Sequence, residues 1–257
     1  MSALLALTGC AAISPGIPLS ADDPRPQALL DAWERSGLER RALRGRARLS
    51  VDGEDGGVRI RAKQIVLLER PAQLRVEVLG LFSQTAAVLV TDGEHYQFFN
   101  LGDGSRYAGA VTPTLLWQFA HLALTPREVA DVLLGGLPPD EALTPLRALE
   151  LAEGRVRVDL TDERGAVRRG ATFDAEGRLV ELEVRGEGGS VAWRARYSHY
   201  APIDGTPFAH TIELYVAVGG TRAEIELRDV ELNPVVSPDM FRLEPPGAGS
   251  LEGRGEG

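Results

Sequence analysis

Residues 58–100, VRIRAKQIVLLERPAQLRVEVLGLFSQTAAVLVTDGEHYQFFN, alternate apolar and polar side chains in short runs broken by turn residues. Leu74, Val76 and Val78 make one face apolar, and Arg75 and Glu77 take the other. A period of two belongs to a half-buried antiparallel strand, whose successive side chains point to opposite faces. The pattern returns after about residue 145. Val156, Val158 and Leu160 alternate with Arg157 and Asp159, Leu182 and Val184 with Glu181 and Glu183, and Trp193, Ala195 and Tyr197 with Arg194 and Arg196. Turns fall at Glu163-Arg164-Gly165, Ala175-Glu176-Gly177 and Asp204-Gly205, and Asp92-Gly93 reads as a two-residue hairpin loop. So many strands with one wet face exceed what a flat open sheet sustains without curling. The expected fold is mainly β with helices. It is a curled antiparallel half-barrel of about eleven strands, closed by an N-terminal helix and an inserted helical pair.

Two stretches break the strand period. Asp22-Asp23 with Pro24 and Pro26 is a helix start, followed by Leu29, Leu30, Trp33 and Leu38 on one side. Trp33 is read as core or as cavity wall. Thr112-Pro113 opens a second stretch, TPTLLWQFAHLAL, in which Leu115, Leu116, Trp117 and Phe119 are apolar nearly all round. Such a helix must be covered by something larger than itself, and the sheet is the available cover. Thr125-Pro126-Arg127-Glu128 then forms a capping box, and Gly135 and Pro138-Pro139 end the helix it opens.

At 257 residues and 44% apolar, the chain fits one sizeable domain, expected over 27–246. A formal charge of −9 argues against a nucleic-acid partner, which needs a basic field. The four histidines show no metal spacing, and neither a nucleophile elbow nor a P-loop occurs. No catalytic residue, metal or cofactor is therefore assigned, and the chain is read as a non-enzyme. The single cysteine, Cys10, leaves no internal disulfide.

Leu7-Thr8-Gly9-Cys10 matches a lipobox, in which the cysteine is lipidated. Residues 1–9 are read as a partial signal peptide, shorter than the usual ~15–30 residues. Residues 10–26 are read as a lipidated tether, and 247–257 as a disordered Gly- and Glu-rich tail. No Asp follows Cys10, so the sorting pattern implies the outer membrane. Elsewhere, Leu79-Gly80-Leu81-Phe82-Ser83-Gln84 is an apolar connection where a polar one is expected. Either Leu81 and Phe82 fold back into the core, or they expose an interaction site.

Four short motifs stand in order: Arg70-Pro71-Ala72-Gln73-Leu74-Arg75 with Leu79-Gly80, Val90-Thr91-Asp92-Gly93, Leu133 to Pro138, and Phe241-Arg242-Leu243-Glu244-Pro245-Pro246. With the order of elements from about Leu29 to Pro246, they resemble the LolA/LolB lipoprotein-carrier superfamily, on its LolB side. The resemblance implies an incomplete barrel whose apolar cavity holds acyl chains of lipoproteins or lipids. Trp33, Leu115, Leu116, Trp117 and Phe119 become cavity or lid candidates. It further implies that Leu79, Leu81 and Phe82 form a loop delivering cargo to the membrane. The expected protein is an outer-membrane lipoprotein facing the periplasm of a Gram-negative bacterium, with a periplasmic lipoprotein carrier as a possible partner. The alternatives are a structural or assembly lipoprotein that docks proteins on the half-barrel, and a lipid-sensing envelope-stress module.

Overall fold

The computed structural model describes residues 16–136 and 143–243, apart from 55 and 58 and the side chain of Leu146. Cys10 and the lipobox, the tail, the Pro138-Pro139 stop and the last three residues of the Phe241 motif lie outside them.

The chain enters through β1 (Ile17–Pro18) and α1 (Arg25–Glu39). Six strands follow: β2 (Ala42–Asp52), β3 (Arg59–Glu69), β4 (Gln73–Leu79), β5 (Thr85–Thr91), β6 (His95–Asn100) and β7 (Arg106–Ala110). After α2 (Leu115–Ala120) and α3 (Pro126–Leu134), seven more complete the fold: β8 (Thr144–Glu150), β9 (Val156–Thr161), β10 (Val167–Phe173), β11 (Leu179–Arg185), β12 (Val191–Ile203), β13 (Thr206–Val216) and β14 (Thr221–Leu232). They make one open sheet in the order β1-β8-β9-β10-β11-β12-β13-β14-β2-β3-β4-β5-β6-β7, with every pair antiparallel. The half-barrel is thus as expected in kind, with fourteen strands among the described residues rather than about eleven. The surplus includes strands too short to carry a readable period, such as the two-residue β1. That strand pairs Ile17 with Glu150 and covers part of an edge, so the chain joins the sheet inside the stretch read as tether.

The order of strands fixes where the inserted helices go. β7 is one edge of the sheet, and β8 lies next to the other. The connection between them must recross the whole sheet, and it does so over the concave face. There Leu116, Leu122, Leu124, Val132 and Leu133 join the same apolar core as Leu49, Leu74, Leu89, Leu182 and Leu214. α2 has six residues, shorter than the apolar stretch suggests, because His121 turns left-handed (φ 52°) and ends it. α3 has both halves of its capping box, and Gly135 ends it at φ 62°. At α1 the N-cap is Pro24 rather than an aspartate, although the Asp23 carboxylate accepts from the Arg25 N–H at 2.9 Å.

The convex face is paired rather than merely solvated. Arg44 and Arg48 of β2 stand opposite Glu231 and Glu226 of β14 and pair with them at 3.3 and 3.6 Å, and Arg46 reaches Asp229 at 3.7 Å. Such exposed pairs contribute about 0–1 kcal/mol each, so they set register more than stability. A bulge at Asp229 (φ 51°) bends β14 against β2. Gly45 sits there, where a Cβ would lie 3.3 Å from the Arg228 carbonyl. The hairpin after β5 closes on Asp92 and His95, so its two central residues are Gly93 and Glu94, not Asp92 and Gly93. Only Gly93 of these has positive φ.

Candidate ligand cavities and an apolar loop

Alternation along β2 to β5 turns Ala47, Leu49, Val66, Leu74, Val76, Val78 and Leu89 toward the helices. Leu116 and Phe119 of α2, and Val129, Val132 and Leu133 of α3, close the other side. The space between is an apolar cavity of about 130 Å³ whose one polar lining residue, among those described, is Gln64. A leucine-lined cavity of about 150 Å³ stays dry and takes a molecule the size of benzene. In its closed form the cavity therefore accepts a few carbons, not a long chain.

The roof is tied down by a small number of polar contacts. The Trp193 indole N–H donates to Glu128 Oε1 at 3.2 Å, and the Tyr197 hydroxyl to the Val132 carbonyl at 3.2 Å. Burial raises the Tyr197 phenol far above its ordinary range, so it stays a neutral donor. The Trp33 indole N–H donates to the Gly135 carbonyl at 2.7 Å, and Arg70 pairs with buried Asp131 of α3. Burial raises the Asp131 carboxyl, and the Arg70 guanidinium opposes that only in part. On α2, Phe119 stacks on Phe98 with centroids 4.4 Å apart and meets Tyr96 edge-on.

A second cavity of about 250 Å³ lies under α1. Trp33, Phe173, Tyr197, Tyr200 and Phe208 give it aromatic walls, and Arg40 and Arg178 add cations. Leu133 is the one described residue that lines both cavities. The Tyr200 phenol, which donates to the Leu179 carbonyl, is pushed up to about 12 by burial.

Leu81 and Phe82 do not fold back: they are 94% and 89% exposed. Their loop joins β4 to β5, at the end of the strands where Gln64 faces Val78. The Gly80 N–H donates to the Gln84 carbonyl at 2.8 Å, and the Phe82 N–H to Gln84 Oε1 at 3.0 Å, so the tip is held in shape. Leu101, on the neighbouring hairpin, is also exposed, and its N–H binds the Ala86 carbonyl.

The expected site residues divide accordingly. Leu116 and Phe119 line the apolar cavity, and Trp33 lines the other. Leu115 is fully buried but lines neither cavity, and Trp117 packs on Gly219 at the rim. Leu79 ends β4, partly buried, and pairs with Lys63 and Thr85. Sequence reasoning missed Arg40 and the aromatic cavity, whose walls combine α1, α3 and the strands β10 to β13 from three separate stretches of the chain. Among the described residues no three His, Cys, Asp or Glu side chains cluster as a metal site, and no helix is long and apolar enough to cross a membrane.

No family profile and no curated protein matches the sequence. Solved structures do match the fold. A LolA superfamily protein from Nitrosomonas europaea superposes with a TM-score of 0.58 at 13% identity, over 84% of this chain and 97% of that one. A DUF1329 family protein from Desulfovibrio piger gives 0.55 at 9% identity, over 84% and 96%. A domain described as an outer-membrane lipoprotein-sorting protein, from Vibrio parahaemolyticus, gives 0.51 at 11% identity, over 83% and 94%.

Proposed function

We propose, from a chain with the LolA-superfamily fold, a periplasmic lipoprotein that binds acyl chains of lipoproteins or lipids and inserts or sorts them at the outer membrane. Cys10 carries its lipid anchor, residues 27–246 form the binding domain, and a periplasmic lipoprotein carrier is its donor. The observation that carries this reading is the apolar cavity with a single polar lining residue beneath a roof of two short helices. A buried methylene is worth about 0.8 kcal/mol, in a protein cavity as in a bilayer. Exchange between the two is therefore nearly balanced, and no chemical step is needed; binding, not catalysis, is the activity. The closed cavity holds a few carbons, so uptake of a chain requires α2 and α3 to move off the sheet. Leu81 and Phe82 supply the membrane contact beside the strands that line the cavity.

The test is mass spectrometry of lipids and lipopeptides that co-purify with a Cys10→Ala periplasmic form. Diacyl or triacyl species at near-stoichiometric amounts are expected. Leu81→Glu with Phe82→Glu should leave that binding intact and abolish association with anionic phospholipid vesicles. The small closed volume favours one second reading, a scaffold that docks proteins. An empty, folded protein that refuses acyl probes would establish it.

A further inference from the structure

The cavity under α1 does not have the chemistry of a hydrocarbon site. Its deep walls are buried Trp33, Phe173, Phe208 and Ile212, while Ala32, Glu176 and Pro207 stand exposed at its mouth. Two cations line it. Arg178 is neutralised by Asp174 at 2.7 Å and Glu176 at 2.9 Å. Arg40 is not: among the described residues its guanidinium finds only neutral acceptors, the Leu134 carbonyl at 3.3 Å and the Pro207 carbonyl at 2.7 Å. Its Nε is buried and has no acceptor. The guanidinium lies 5.5 Å from the centre of the Phe208 ring, so an aromatic face stands where a counterion is absent. A cation partly removed from water without an opposing charge is costly, and an anion beside it recovers much of that cost.

The partition toward the apolar cavity is thin. Leu133 touches both spaces, and it sits on α3, the helix that must move for a chain to enter. Leu133 is the one described residue shared by the cationic space and the apolar one, so the route between them runs past its side chain.

We infer that the ligand is an acyl amphiphile with an anionic head, a carboxylate or a phosphate, whose head sits at Arg40 and whose tail passes Leu133 into the apolar cavity. The inference rests on acyl binding under the roof and adds the head-group chemistry. A neutral acylated cysteine would leave Arg40 unpaired.

The experiment is isothermal titration of the full chain with dodecanoate, dodecyl phosphate and methyl dodecanoate. At least one anionic probe should bind about tenfold tighter than the ester, the size of one charge-assisted hydrogen bond. A preference for dodecanoate assigns a fatty-acid head, and a preference for dodecyl phosphate a phospholipid-type head. In Arg40→Gln the anionic advantage should vanish while ester affinity holds. Equal binding of ester and anions by the unaltered chain overturns the inference alone, whether or not Arg40→Gln folds. Equal loss of all three probes in a folded Arg40→Gln does the same. Binding of none of them overturns acyl binding as well.

Discussion

Arg70 touches three parts of the molecule at once. Its Nε donates to the Arg40 carbonyl at the end of α1, its Nη1 binds Asp131 of α3, and Gly136 lies against its Nη2. It stands at the β3–β4 turn, so one side chain ties sheet, first helix and roof together. The Arg-Pro motif was legible in the sequence, whereas its partner was not. Asp131 sits in the run Val129-Ala130-Asp131-Val132-Leu133, and a lone carboxylate among apolar neighbours is the signal that could have found it. The raised carboxyl has a definite consequence for the roof. A group whose value is higher when buried favours the buried state at low pH and loses that advantage as pH rises through the raised value. Opening of α3 should therefore become easier as pH rises through that value. Hydrogen exchange of α3 amides, corrected for intrinsic rates, should report this, and Asp131→Asn should flatten the dependence. A roof that loosens on acidification instead would contradict it.

At the level of elements, α3 shows why some features can be read and others not. Its start is local chemistry: Thr125 and Glu128 are three residues apart, and their reciprocal bonds need no tertiary partner. Its second tie, Glu128 to Trp193, joins residues 65 apart and leaves no local trace. Strands such as β2 and β14 were legible because they keep one wet face, and the five-residue apolar loop 80–84 because its composition is wrong for a turn. The end of α2 was not, since a left-handed histidine looks like any other in sequence. The double duty of Glu128 gives a prediction. Glu128→Ala should lose the return half of the capping box and strand the buried indole N–H, destabilising the protein by about 1–3 kcal/mol. Urea unfolding measures it, and Glu128→Gln, whose single amide oxygen can serve only one of the two donor groups, should recover part of the loss.

In the whole molecule, the decisive contact is between β14 and β2. It joins the C-terminal meander to the N-terminal one, pairing Leu43 with Leu232 and Val51 with Ala223. A chain ending at Gly220 keeps thirteen of the fourteen described strands yet loses the seam between the two halves. Such a truncation should lack fixed tertiary structure by near-UV circular dichroism, and a native-like spectrum would show that the halves fold separately.

That seam also acts as a clock. At about 5–20 residues per second of synthesis, β14 follows β2 out of the ribosome by about 10–40 s. Throughout that interval β2 has no neighbour on one side, and the seam between the two meanders is unmade. A nascent chain of this design cannot finish early, whatever its first half does. Until β14 arrives, the exposed edge of β2 stays open to any other strand that can pair with it.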